Sequence, residues 1–103
     1  MQETLRSKRF NLVNLENFEV DLEYNEQYAI LHLPRVSKFN KSVYLEMVSK
    51  LEEIAEFVKN SGYFGLWLAI RPEDVTLSKL VKKLGFKHLG NAENLAVYQL
   101  ENF

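Results

Sequence analysis

Apolar and polar residues alternate strictly along the segment Phe18–Tyr24. The apolar members share one face of an extended chain, and the other face carries Glu19, Asp21 and Glu23. A period of two with one polar face is typical of a strand in an antiparallel sheet that has one side in water. The sequence therefore predicts a strand here.

Two neighbouring segments extend this prediction. Phe10–Leu15 is ambiguous and fits either a short first strand or an irregular lead-in, so residues 1–17 are taken as a lead-in that is partly disordered or adds a strand. After a short turn at residues 25–27, Tyr28–Val36 is more apolar and predicts a second, more buried strand. Pro34 ends it, because proline has no N–H to donate to a neighbouring strand.

Apolar residues then recur at intervals of three and four from Tyr44 to Val58, which predicts about four turns of amphipathic helix. Either Asn40 or Ser42 can cap its start, since both side chains accept hydrogen bonds from free backbone N–H groups. The segment Asn60–Gly62 supplies residues that tolerate the left-handed conformation at its end.

The next segment, Tyr63–Ile70, has almost no polar member. Such a run predicts a central strand that is covered on both faces. Arg71 and Pro72 break it, and a second helix follows with Asp74 or Thr76 as its cap.

The inner face of that second helix consists of Leu77, Leu80, Val81 and Leu84, and Gly85 fits the position just past its end. A short strand, Phe86–Leu89, a turn over residues 90–94 and a last strand, Leu95–Leu100, complete the chain.

The order of elements predicts one α+β domain over residues 1–103. It contains a mixed, mostly antiparallel sheet of about five to six strands and two helices. The strands on either side of the long helix are expected to pair in parallel through a crossover.

Composition narrows the classes of function. Thirteen basic and 14 acidic residues give a net charge of −1, which provides no general attraction to nucleic acid or anionic lipid. The chain has no cysteine, which excludes disulfides, thiolate zinc sites and cysteine nucleophiles. His88 has no partner histidine at ligand spacing, so no metal site is expected. Without a signal peptide or an apolar membrane span, we expect a cytoplasmic protein and no membrane partner.

The octapeptide Leu80-Val-Lys-Lys-Leu-Gly-Phe-Lys87 follows an apolar strand and precedes a terminal hairpin. In this setting it resembles the helix-to-strand corner of the GNAT family of N-acetyltransferases, and the likeness in element order covers roughly residues 18–100. The resemblance implies a GNAT-like fold in which acyl-coenzyme A enters between two strands that separate.

In that family the pyrophosphate binds a loop with two small residues at the start of the long helix, where backbone N–H groups and the helix dipole favour an anion. The matching positions here make Arg35, Ser37, Lys38 and Asn40 the candidate cofactor-binding residues. Lys38 and Asn40 stand where the small residues are expected, which obstructs close approach of the backbone to a phosphate. An ordinary basic loop before a helix is the alternative interpretation.

Two further parts of the family's site are altered. Many members carry a tyrosine that protonates the leaving thiolate, and the matching position here is Val81. Tyr98 or Tyr63 would have to replace it through the fold. His32 is the weak candidate for a catalytic base, although a single histidine on a strand more often has a structural role. The lead-in is also too short to form the family's acceptor wall.

These losses favour a truncated GNAT-like domain that is catalytically silent, needs no cofactor and acts through contact with a protein partner or a second copy. Such a chain is similar in type to small phage-encoded proteins associated with the virion, which would place it in the host cytoplasm or virion. We expect an exposed apolar patch that includes Tyr24, Tyr28, Phe39 and Phe103.

Two alternatives remain open. The first is an acyl-CoA-dependent N-acetyltransferase, with acetyl-CoA as cofactor, that has a divergent pyrophosphate loop and uses Arg35 and Lys38. The second is binding to nucleic acid, which the net charge disfavours, through a set of basic residues: Arg35, Lys38, Lys41, Lys79, Lys82, Lys83 and Lys87.

Overall fold

A computed structural model describes residues 7–103 and contains six strands and two helices. The elements, in chain order, are β1 (Lys8–Asn14), β2 (Phe18–Tyr24), β3 (Ala29–Val36), α1 (Lys41–Asn60), β4 (Trp67–Ile70), α2 (Val75–Lys83), β5 (Phe86–Ala92) and β6 (Leu95–Leu100). The predicted α+β fold with a mixed sheet is confirmed. The ambiguous segment is a strand, and residues 1–6 of the predicted lead-in lie outside the described part of the chain.

All six strands form one sheet in the order β1-β2-β3-β4-β6-β5. Only β3 and β4, the strands that α1 connects, pair in parallel, and every other pair is antiparallel. This agrees with the predicted crossover, since a parallel pair needs a long connection. The central position predicted for β4 is also confirmed.

Both helices pack on the same face of the sheet. Met47 and Ile54 of α1 lie against Phe18 and Phe86. From α2, the hydroxyl of Ser78 contacts that of Tyr98, which pairs with Leu68 in the adjacent strand. Within residues 7–103 the opposite sheet face therefore has no helix over it. On that face the predicted cover of β4 is confirmed at Ala69, which is buried, and is incomplete at Trp67, which is only partly buried.

Both helices begin at residues that the sequence predicts as caps. The side chain of Asn40 accepts from the N–H of Val43 and begins α1, and that of Asp74 accepts from the N–H of Leu77 and begins α2. Gly85 follows the end of α2 with φ of +104°, a conformation that residues with a Cβ rarely adopt. Each pair of alternative caps is thus resolved to its first member.

Two predicted boundaries are wrong. The strand predicted to begin at Tyr63 begins at Trp67, and Phe64 in the segment before it lies in solvent, where it is 97% exposed. The strand predicted to end at Leu89 continues to Ala92. Its turn consists only of Glu93 and Asn94, which both have positive φ, as in a two-residue hairpin turn.

No helix in the described part of the chain is long and apolar enough to cross a membrane.

Candidate functional site

The parallel pairing of β3 with β4 stops halfway along β3. Three residues pair, the last being His32 with Ala69, and β3 then continues for four residues without β4. Pro34 contributes no N–H in this stretch, so it cannot extend the ladder. Over the same residues β3 stays paired with β2, where Arg35 lies opposite Glu19. The result is a notch in the sheet between β3 and β4.

A cavity of about 590 Å³ occupies this notch. It joins the helix-free sheet face to the start of α2. Its walls come from four strands, the loop after β4 and α2: Arg9, His32, Leu33, Pro34, Ala69, Ile70, Arg71, Asp74, Leu77 and Leu95. The volume is in the range of small-molecule sites.

His32 and Glu23 form a pair at the edge of the notch. Nε2 of His32 lies 2.8 Å from Oε1 of Glu23, and their side chains are 14% and 31% exposed. The hydrogen bond from His32 holds the pKa of Glu23 below its ordinary value, against an opposing effect of burial. A histidine oriented by a carboxylate is a group that can accept a proton from a substrate.

The same face carries a second acidic group with its own partners. Asp21 accepts hydrogen bonds from Asn11 at 2.8 Å and from Nε of Arg9 at 3.1 Å. The bond from Asn11 is the main cause of the lowered pKa of Asp21, with further lowering by Arg9 and His32 against the effect of burial. Arg9 also contributes to the wall of the notch cavity. Arg9, Asn11 and Asp21 are thus joined by hydrogen bonds beside the pair of His32 and Glu23.

Arg35 is held by the fold. Its Nε donates to Oε2 of Glu19 at 2.8 Å, and its terminal nitrogens donate to the backbone carbonyls of Leu15 and Glu16 at 2.6 Å each. The guanidinium therefore closes the turn between β1 and β2. A phosphate at the start of α1 would have to compete with these bonds.

Two of the other candidate cofactor-binding residues also have structural partners. Ser37 donates from both its N–H and its hydroxyl to the carbonyl of Asn17. Asn40 uses its side-chain oxygen as the cap of α1, at 2.9 Å from the N–H of Val43. Lys38 differs from them, because it is exposed and lines a second cavity.

This second cavity is a groove of about 660 Å³ between the start of α1 and α2. We call it the lysine groove, because its lining includes Lys38, Lys41, Lys79 and Lys83 and no acidic residue. The rest of the lining is mostly apolar: Phe39, Asn40, Val43, Tyr44, Leu45, Met47, Thr76 and Leu80. The other lysines proposed for nucleic acid, Lys82 and Lys87, lie outside it.

The family's proton-donating position is apolar and closed to solvent. Val81 is 0% exposed and belongs to the core cluster. The hydroxyl of Tyr98 lies 2.7 Å from that of Ser78, and the hydroxyl of Tyr63 donates to the carbonyl of Asn25 at 2.5 Å. Neither tyrosine lines the notch cavity.

His88 contacts residues of its own hairpin. Its Nε2 lies 3.2 Å from Oδ1 of Asn91, and its ring packs 5.1 Å from that of Tyr98. No group of three metal-ligating side chains occurs among residues 7–103.

The predicted apolar patch does not exist as one surface. Tyr28 and Phe39 are 47% and 50% exposed, but they lie beyond opposite ends of β3, about 25 Å apart at ~3.3 Å a residue. Tyr24 and Phe103 are only partly exposed and pack on the core. Residues that are exposed at opposite ends of one strand are too far apart to share a contact patch.

Two other features expose aromatic side chains: the pair of Tyr28 with Trp67 and the separate residue Phe64. Tyr28 packs edge-on against Trp67 with 5.7 Å between the ring centres. Phe64, which the sequence placed in a buried strand, is fully in solvent three residues earlier in the chain. Exposed aromatic groups of this kind are common at protein contacts.

Sequence reasoning identified His32 but not its partner. The short turn after β2 places Asp21 opposite His32 and Glu23 one diagonal step away, so the register of the hairpin was the available signal. It also missed the groove, although Lys79 and Lys83 are four apart and share a helix face.

A scan of protein-family models and searches of curated proteins and of solved structures found no match to this chain.

Proposed function

We propose that this chain is a catalytically silent, GNAT-like domain that acts through contact with another protein. The observation that carries the proposal is that the segment before α1 is already hydrogen-bonded within the fold. Of the four residues that the resemblance assigns to coenzyme A, Arg35, Ser37 and Asn40 are each hydrogen-bonded within the fold. The segment is organised as a capped helix start.

The sheet order supports the GNAT-like part of the proposal. The family's cofactor enters between two separating strands, and here the single parallel pair, β3 and β4, stops pairing after His32. The position expected to protonate the thiolate is the buried Val81. The fold is thus compatible with the family, but the side chain at the family's proton-donor position cannot protonate a leaving thiolate.

The contact part of the proposal is supported by what the surface displays. Phe64 is 97% exposed, and Tyr28 is about half exposed beside Trp67. Large aromatic groups in water cost free energy that burial against a partner recovers. A virion-associated role of the kind found for small phage proteins is one setting for such a contact.

A second candidate, an acetyl-CoA-dependent N-acetyltransferase, is favoured by one specific observation. The pair His32 and Glu23 lies beside the 590 Å³ notch cavity, where a base for an amine acceptor would be needed. In this candidate His32 accepts the amine proton, and Lys38 with Arg35 holds the phosphates.

Release of free thiol from acetyl-CoA separates the two candidates. The purified chain is incubated with acetyl-CoA and with amine acceptors that include a polyamine and a lysine peptide. The silent domain releases no more thiol than buffer does. Turnover that is lost in His32→Gln and retained in His88→Gln, the matched histidine variant, would overturn the proposal in favour of the enzyme.

A further inference from the structure

The lysine groove has opposite walls of like charge over an apolar floor. Lys41 is the first residue of α1 and Lys38 lies just before the helix, whereas Lys79 and Lys83 belong to α2. All four lysines are exposed, and the ion pairs found within residues 7–103 use none of them. The groove is therefore a concentrated positive surface on a chain whose net charge is −1.

The floor and rim of the groove are apolar. Val43 and Met47 are buried at its base, and Phe39 and Leu45 are 50% and 54% exposed. Burial of these exposed side chains against an apolar ligand would remove them from water. A ligand that fits the groove thus combines apolar groups in its centre with negative charge on both sides.

The groove is held open by a contact between its two helices. The hydroxyl of Tyr44 donates to the carbonyl of Lys83 at 3.2 Å, and the ammonium of Lys83 lies 5.6 Å from the centre of the Tyr44 ring. This links α1 to α2 on one side of the groove. Its width is consequently set by packing before any partner binds.

The charges favour a ligand with several spaced carboxylates over one with a single phosphate group. A phosphate site gathers backbone N–H groups and converging donors around one anion. Here the Asn40 side chain already accepts from the N–H of Val43, and the lysines lie on two separate walls. Lys79 and Lys83 are one helical turn apart, about 6 Å, which matches carboxylates one turn apart on a partner helix.

We infer that the lysine groove binds an acidic, amphipathic segment of a partner protein, with apolar side chains against the exposed Phe39 and Leu45 and carboxylates facing the four lysines. This mode is the laying of an amphipathic helix into a groove between two helices. The inference rests on the proposed contact function and assigns the chemistry of the partner.

The test uses the full chain and a designed probe. The probe is a fluorescein-labelled, 15-residue helical peptide with leucines at intervals of three and four and glutamates on both flanks of that stripe. Binding is followed by fluorescence anisotropy at several salt concentrations. A peptide of the same composition in scrambled order and one with lysine in place of glutamate are the controls.

Of the three peptides, we expect only the probe to bind saturably. Its affinity should fall at least tenfold in the double variant Lys79→Glu, Lys83→Glu. The matched control Lys82→Glu, Lys87→Glu makes the same charge change outside the groove and leaves the affinity within about twofold. Circular dichroism is used to check that both variants are folded. A second double variant, Lys38→Glu with Lys41→Glu, keeps the contact between Lys83 and Tyr44. We expect it to weaken binding by the same factor.

Equal loss in the groove and control variants, or equal binding of the scrambled peptide, would overturn the inference. So would displacement of the probe by an equal concentration of acetyl-CoA, which would also count against the silent domain. If neither the probe nor acetyl-CoA binds, only the inference about the groove fails, and the proposed function stands on its own test.

Discussion

Arg35 lies directly opposite Glu19 across the β2–β3 pair, and its Nε donates to the Glu19 carboxylate at 2.8 Å. Its terminal nitrogens donate to two carbonyls of the turn between β1 and β2. The residue that the family resemblance assigns to a phosphate thus fastens the first hairpin. This relationship gives Arg35 and Lys38 different expected roles, although they are only three residues apart.

The first prediction concerns these two residues. Arg35→Ala should lower the free energy of unfolding by about 1–2 kcal/mol, because it removes charge-assisted hydrogen bonds to Glu19 and leaves two carbonyls without their donor. Lys38→Ala, the neighbouring control, should change it by less than about 0.5 kcal/mol. Urea unfolding followed by circular dichroism measures both. Equal, small effects would show that Arg35 is free of a structural role.

Much of the architecture could be predicted because it depends on local patterns. The alternation in β2, the apolar stripe of α1 and the Gly85 corner each reflect the geometry of a single element. The parallel pairing of β3 with β4 follows from the length of the connection through α1. These features need no knowledge of tertiary contacts.

The parts that could not be predicted depend on the packing of separate elements. The apolar run from Tyr63 contains no signal that the strand begins only at Trp67, and only the fold shows Phe64 in solvent. The bonds of Arg35 to the β1–β2 turn span about 20 residues of sequence. The lysine groove likewise requires the start of α1 to lie beside α2.

A second prediction follows from the lowered pKa of Glu23. A carboxyl group with a folded-state pKa below its ordinary 4.5 contributes stability above that value and loses it as the pH falls through the folded pKa. The charged and polar groups around it are His32 on β3, Arg9 on β1, Ser7 before β1 and Asp21 on its own strand. Stability should therefore fall as the pH drops below about 4.5.

The variant Glu23→Gln tests this prediction. It should be less stable than the parent chain near pH 7, and the difference should shrink as the pH falls through the lowered pKa of Glu23, because the parent carboxylate becomes protonated there. Glu26→Gln, at an exposed position in the next turn, is the matched control. A difference between Glu23→Gln and the parent that is constant with pH would contradict the assignment.

The third prediction concerns the corner after α2. Gly85 has φ of +104°, so Gly85→Ala should destabilise the chain by about 1–2 kcal/mol through backbone strain. At Gly90 the same change meets no atom within 4 Å and no positive φ. Gly90→Ala should therefore be neutral or slightly stabilising. Thermal unfolding of the pair tests this, and equal melting temperatures would contradict it.

A fourth prediction concerns the exposed side chain of Phe64. Phe64→Ser removes an apolar group that is 97% exposed, so it should leave stability within about 0.5 kcal/mol of the parent. Phe18→Ser, in the fully buried core, should cost at least about 3 kcal/mol. A large loss of stability in Phe64→Ser would mean that Phe64 contributes to the fold rather than to a contact surface. Urea unfolding at pH 7 separates the two outcomes.

Isothermal titration of the chain with acetyl-CoA, up to about 1 mM at moderate salt, tests the central claim most directly. The silent domain should give no saturable heat over this range. Saturable heat with a dissociation constant near or below about 100 μM, roughly −5.5 kcal/mol, would contradict the claim. Weakening of that affinity in the double variant Arg35→Ala, Lys38→Ala would then assign the cofactor to the segment before α1.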